Sequence, residues 1–150
     1  MSEADFFVRV KAFVERAVVG MGLRLDTEVV DAGDHVGIEL SGDDPEPLLR
    51  RKGEGLDALQ HVVNSVFRHE VGEKRIVVDC DGFRKAKDRE VRQMARFLIE
   101  KARTSGAPQQ MGPLNSYSRR LVHLEVAEAG DVRSSSQGEG ASKIVVISRK

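Results

Sequence analysis

The chain has no tryptophan and a single tyrosine, Tyr117, and aromatics make up only 5% of its 150 residues. A core in such a chain must be built from Val, Leu and Ile. The flat aromatic platforms on which strong single-strand binders stack bases are scarce. Cys80 is the only cysteine, which excludes an intrachain disulfide and a cysteine-built metal site. It reads as a small strand hydrophobe in a reducing compartment. No stretch reaches the ~18 consecutive apolar residues of a membrane span. The opening MSEADFF lacks the basic flank and apolar run of a secretory signal. The expected setting is therefore the cytoplasm, with no integral membrane segment. No long internal repeat and no metal-ligand set stand out, and no cofactor is expected.

Net charge is missing as well, but only on average. Lys and Arg number 24, as do Asp and Glu. Residues 1–50 hold 5 basic and 11 acidic side chains, whereas residues 51–150 hold 19 and 13. A segregated basic surface most often meets nucleic acid or anionic membrane, and the plainer alternative is a solvated charged exterior.

Periodicity supplies the fold class. Phe6, Val10, Phe13, Val14, Ala17 and Val18 follow helical spacing from Ser2 to about Val19. Ser2 with Asp5 resembles a capping box, and Gly20 and Gly22 stop the helix. Two strands follow around a turn at 32–34, with Val36, Ile38 and Leu40 alternating cleanly. DDPEPLL opens a short helix, its prolines tolerated in the first turn. A longer helix runs from about Leu56 to His69, with Leu56, Leu59, Val62, Val63, Val66 and Phe67 on its buried face and Gly72 closing it. RIVVDC is a strand that completes the first sheet. Beyond DGF, a helix from about Arg84 to Thr104 turns Val91, Met94, Ala95, Leu98, Ile99 and Ala102 inward. Eight cations cover much of its remainder: Arg84, Lys85, Lys87, Arg89, Arg92, Arg96, Lys101 and Arg103. A helix from Ser116 to about Ala127 comes next, with Leu121, Val122 and Leu124 as candidates for its buried side. SSSQGEGAS reads as a polar loop, and KIVVIS is the last strand. The expectation is α+β: two small α/β modules, the first α-β-β-α-α-β, the second a small sheet packed on helices.

Two short stretches bear on function. Arg50, Arg51 and Lys52 precede a helix N-terminus, and Gly53 and Gly55 follow. Free N–H groups and the partial positive charge of a first helical turn suit a phosphodiester. Glycine lets a phosphate come close to the backbone. No Gly-Lys-Ser/Thr follows, so this is not a nucleotide-binding P-loop. Arg119 and His123 are four apart and share one helix face, with Arg120 about 100° round. Arginine grips phosphate through its planar fork and stacks on bases, and histidine can donate, stack or titrate. An acid with its anion clamp would use the same pair. Against an enzyme, no second acid or base stands at fixed spacing, and His35, His61 and His69 are scattered. Asp79 and Asp81, flanking Cys80, read as solvated or capping.

The α-β-β-α-α-β order and the run GEGLDALQHVVN resemble the KH domain of bacterial Jag-type proteins. That resemblance implies a G-x-x-G loop clamping the backbone of about four nucleotides, placed on Arg50, Arg51, Lys52 and Gly53. Gly53 matches directly, and Arg51 and Lys52 fall on the commonly basic middle. Arg50 replaces the first glycine, where a side chain either obstructs backbone approach or adds a cationic contact. PLNSYSRRLVH, set between a basic helix and a Gly/Ser loop before KIVVIS, resembles the single-stranded nucleic-acid-binding domain named for its Arg-x-x-x-His motif. Arg119 and His123 fall on the motif, and Pro113, Asn115, Tyr117 and Arg120 on its flanks. Together the two are similar to the Jag family, the sporulation-associated RNA-binding proteins, from about residue 22 onward.

The resemblance implies domains at 3–80 and 81–150 and leaves no room for the Jag-N domain that members often carry. It implies a non-enzymatic binder of single-stranded RNA or DNA, regulatory in role. A small KH-domain protein and the membrane insertase machinery are the implied protein contacts. The alternative is a protein-interaction adaptor with a degenerate KH domain, using the acidic N-terminal half and apolar helix 6–18.

Overall fold

The computed structural model describes residues 3–70 and 74–150; Ser2 and Gly72, read above as cap and stop, lie outside them. The chain divides into two compact units, with the boundary between Arg84 and Lys85. Each is α+β.

Unit 1 contains α1 (Glu3–Gly20), β1 (Leu25–Asp31), β2 (His35–Gly42), α2 (Glu46–Val66) and β3 (Arg75–Cys80). Its sheet has the order β1-β2-β3. β1 and β2 pair antiparallel, Val29 opposite Ile38, and β2 and β3 pair parallel, Ile38 beside Val78. α2 is broken at Arg50–Gly53 into two arms, so the order is α-β-β-α-α-β. The aliphatic stripe Val10, Val14, Val18 of α1 packs with the alternating rows Val36, Ile38, Leu40 and Ile76, Val78, Cys80. Leu56, Leu59 and Val63 of the second α2 arm close this core. Phe67 sits at its end, edge-on to both Phe6 and Phe13.

Polar ties set the rotation of α2. Asn64 Oδ1 accepts from Ile76 N at 2.8 Å, and Asn64 Nδ2 donates to Ile76 O at 2.7 Å. Gln60 Oε1 accepts from Val78 N at 2.9 Å. These side chains occupy the outer edge of β3, satisfying backbone groups that no further strand pairs. They roll α2 toward β3, so Val62 and Val66, expected inside, are 46% and 51% exposed. The helix also ends at Val66, earlier than expected, with Phe67 N bonding back to Val63 O.

Unit 2 holds most of α3 (Phe83–Ser105), β4 (Gln109–Leu114), α4 (Ser116–Ala129), β5 (Val132–Gln137) and β6 (Lys143–Arg149). Its antiparallel sheet has the order β4-β6-β5. Ala95, Ile99 and Ala102 of α3 pack with Val122 and Val126 of α4 and with Val145 and Ile147 of β6. Met94, expected inside, is 49% exposed, beside the exposed Phe97. The stretch read as a polar loop is corrected too. Ser134, Ser135, Ser136 and Gln137 pair with Ile147 to Ile144, so only 138–142 connect the strands. Val132, Ser134 and Ser136 alternate onto the face carrying buried Val145 and Ile147. Among the described residues, no helix is long and apolar enough to cross a membrane.

Replacing Asn64 by Ala strands both polar groups of Ile76 and should lower the stability of unit 1 by about 1–3 kcal/mol. Chemical denaturation measures this; an unchanged midpoint would show that water or a shifted α2 replaces the tie.

Candidate nucleic-acid interface

The break in α2 is a defined turn. Arg50 is extended (φ −56°, ψ 154°), whereas Arg51, Lys52 and Gly53 are all left-handed, with φ of 52°, 60° and 81°. Three successive left-handed residues reverse the chain between the two arms. The arms lie close at Gly55, where a Cβ would stand 3.1 Å from Pro47 O and 3.2 Å from Leu48 Cα. At Gly53 a Cβ would fall 2.7 Å from Phe83 Cε1, so this glycine answers to both its φ and its packing. Nothing in the backbone requires glycine at Arg50, which explains how arginine is accommodated there. Arg50, Arg51 and Lys52 are exposed, and none has an ion pair among the described residues.

The Arg–His helix is held by its flanks. Asn115 caps α4, its side chain accepting from Ser118 N at 2.8 Å. Tyr117 Oη donates to Asp88 Oδ2 at 2.7 Å, tying α4 to α3. Arg119 Nη1 donates to Leu114 O at 2.6 Å and to Ala141 O at 3.0 Å. It fastens the start of α4 to the end of β4 and to the β5–β6 connection while keeping its charge. His123 lies between two serines of β5: Nδ1 is 2.6 Å from Ser134 Oγ and Nε2 is 3.0 Å from Ser136 Oγ. A hydroxyl can donate or accept, so either ring tautomer is satisfied. Arg120 points outward and has no ion pair among the described residues.

Ser116, Arg119, Arg120, His123, Leu124 and Ser136 line an open cavity of about 300 Å³. Three of these, Ser116, Leu124 and Ser136, were not among the sequence-derived site residues. Leu124 was expected on the buried side but is 48% exposed, because α4 turns Leu121, Val122, Glu125 and Val126 inward. The alternation Val132, Ser134, Ser136 was the available signal for Ser136, obscured by its serine composition.

A buried carboxylate sets that rotation. Glu125 is 6% exposed. Arg96 Nε and Nη2 and Arg92 Nη1 donate to it at 3.0–3.1 Å. The Arg96 hydrogen bonds, opposed by burial and aided by Arg92, hold its carboxyl below the usual range. Much of the basic character of α3 is committed in this way. Arg103 pairs with Asp131 and Glu100, Lys87 with Glu90, and Arg84 with Asp57. Asp79 is buried rather than solvated, capping α3 by accepting from Arg84 N at 2.9 Å. Burial, with Asp81 and Asp79 nearby, pushes the Cys80 thiol up to about 11, leaving it an inert core group. His61 is exposed on α2.

Residues 89–149, which include Arg119 and His123, match the domain family named for the Arg-x-x-x-His motif. The chain is also similar to the RNA-binding protein KhpB of Clostridium symbiosum, 26% identical over 141 residues, covering 92% of this chain and 64% of that protein. A second relative is the RNA-binding protein KhpB of Lactiplantibacillus plantarum, 24% identical over 101 residues, covering 67% of this chain and 31% of that protein. The chain thus spans less than two thirds of the length of these curated relatives.

Two outcomes follow from the local energetics. Because folding lowers the pKa of Glu125, its stabilisation is complete above the unfolded carboxyl value, about 4.3, and fades as pH falls through the lower folded value. Glu125→Gln should cost unit 2 about 1–3 kcal/mol at neutral pH and flatten its acid limb in pH-dependent melts; an unchanged limb would contradict the assignment. At the loop, a left-handed non-glycine residue costs ~1–2 kcal/mol, less ~0.5–1 kcal/mol of extra entropy that a glycine loses. Arg51→Gly should therefore raise stability by about 0.5–1 kcal/mol, and a lower denaturation midpoint would contradict the loop geometry.

Proposed function

We propose that this chain binds single-stranded nucleic acid, RNA in the first instance, through two separate grips and without catalysis. The first grip is the Arg50–Gly53 turn, read as the clamping loop of a KH domain. Arg51 and Lys52 present their charges beside the free N–H groups at the start of the second α2 arm, a setting suited to sugar-phosphate. The second is the α4 cavity. Arg120 and the donor groups of Ser116, His123 and Ser136 would take phosphate, with Leu124 offering apolar contact to a base.

The observation that carries this reading is that Arg51 and Lys52 sit uncompensated on left-handed backbone. Strain of that kind persists where the surroundings over-determine it, and it concentrates at functional sites. The match of residues 89–149 to the Arg-x-x-x-His domain family and the names of the two relatives support it independently. His123 has hydroxyls on both ring nitrogens rather than an orienting carboxylate, which favours a donor over an acid–base role. Two modest sites on one chain gain through effective concentration when one strand reaches both. With Tyr117 the only tyrosine and no tryptophan, sequence preference should be weak.

The family resemblance extends the proposal to a cytoplasmic regulatory role, with a small KH-domain protein and the membrane insertase machinery as protein contacts. Against the adaptor alternative, the apolar stripe of α1 is committed to the unit 1 core.

The test is anisotropy with labelled single-stranded RNA and DNA across a salt series. Each phosphate neutralised should contribute about −0.7 to the slope of log affinity against log salt. We expect a steep slope and weaker binding by Arg120→Ala with its melting unchanged. A flat slope would remove the function, and an unaltered Arg120→Ala would remove the second grip.

A further inference from the structure

The left-handed turn does not explain its own persistence. Arg51 and Lys52 each bear the steric cost of a Cβ at positive φ, and both are exposed. Only the last residue of the turn, Gly53, is buried. What lies against it is one side chain. The missing Cβ of Gly53 would meet Phe83 Cε1 at 2.7 Å, Cζ at 3.3 Å and Cδ1 at 3.4 Å. The ring edge therefore occupies the place that any larger residue would need.

Phe83 is itself anchored from several directions. Its ring is half-buried against the unit 1 core. Just before it, Asp81 N donates to Leu40 O at 2.9 Å, with Asp81 held at φ 50°. Just after it, Arg84 N donates to Asp79 Oδ1 at 2.9 Å and Arg84 Nε to Val78 O at 2.7 Å. Arg84 Nη1 donates to Asp57 Oδ1 at 2.7 Å, reaching the second arm of α2 one turn beyond the loop. The start of α3 is thus fixed to β2, β3 and α2, and its first side chain braces the turn.

We propose that Phe83 is a positioning residue for the cationic loop: its ring, seated on Gly53, keeps Arg51 and Lys52 left-handed and so aims their charges at one phosphodiester path. This rests on reading the loop as a nucleic-acid grip. Phe83 touches no ligand. Withdrawing the ring lets the turn relax toward right-handed backbone and scatters the two charges.

The experiment compares the whole chain carrying Phe83→Val, Phe83→Met, Arg51→Ala with Lys52→Ala, and the triple variant with Phe83→Val. Each is titrated with single-stranded RNA over a salt series, below every variant's melting temperature. Phe83→Val keeps an apolar side chain in the core but is too short to reach Gly53. Phe83→Met keeps the reach. The expected result is that Phe83→Val loses the same part of the salt slope as the loop double variant. For two phosphates that is about 1.4, or about ten- to thirtyfold in affinity near 0.1 M salt. The triple variant should lose no more, and Phe83→Met should stay near wild type. Backbone carbon shifts of Arg51 and Lys52 in the free protein should leave the left-handed range in Phe83→Val alone of the Phe83 variants.

Wild-type binding combined with an unchanged slope in Phe83→Val would overturn the proposal and leave the binding function standing. So would losses that add in the triple variant, since a residue that merely supports the fold gives that pattern. Wild-type protein that binds no RNA or DNA would overturn both.

Discussion

The rotation of each helix about its own axis is fixed by polar ties, and the placement of the candidate sites depends on it. Gln60 and Asn64 roll α2 onto the edge of β3. Arg92 and Arg96, closing on the buried Glu125, roll α3 and α4 toward each other. Aliphatic stripes fill the cores, but they tolerate a range of rotations, because hydrophobic burial is not directional. Hydrogen bonds to a strand edge or to a buried carboxylate do not. The apolar residues that end up exposed, Val62, Val66, Met94 and Leu124, all flank a stripe on the side away from its tie.

That constraint separates structural from available charge. Unit 2 carries 13 basic and 7 acidic residues, yet Arg92, Arg96 and Arg103 neutralise Glu125, Asp131 and Glu100. Arg119 directs its donors to carbonyls of its own unit. What remains outward around the α4 cavity is Arg120, with hydroxyls and His123 beside it. In unit 1, 11 basic residues face 17 acidic ones, and against that background the uncompensated Arg50–Lys52 cluster is a local exception. A net count of charge would have predicted neither location.

Much of this was legible in the sequence. Strict alternation in β2 and the Val10, Val14, Val18 spacing pointed to the right elements because burial there is one-sided. The break at Arg50–Gly53 was legible as a basic, glycine-containing turn between two helices. Its left-handed geometry was not, since arginine and lysine carry no signal for positive φ. Ser134–Ser136 was misread because serine has neither strand propensity nor apolar character; its pairing with β6 and its contact with His123 are tertiary facts. Leu124 was misassigned because Glu125, a charged residue, holds the inward position beside it. The role of Phe83 was hidden for a different reason: its partner is a glycine 30 residues earlier in the chain, and a contact with a missing side chain leaves no pattern.

The central claim is that two preformed surfaces, the Arg50–Gly53 turn and the α4 cavity, hold single-stranded nucleic acid. Amide chemical-shift mapping during titration of the whole chain with a short single-stranded RNA tests it most directly. The account predicts two clusters of shifts, one over residues 50–55 and one over Ser116, Arg120, His123, Leu124 and Ser136, with the acidic outer face of β1 and β2 unmoved. Shifts confined to that acidic face, or no shifts at saturating RNA, would contradict it.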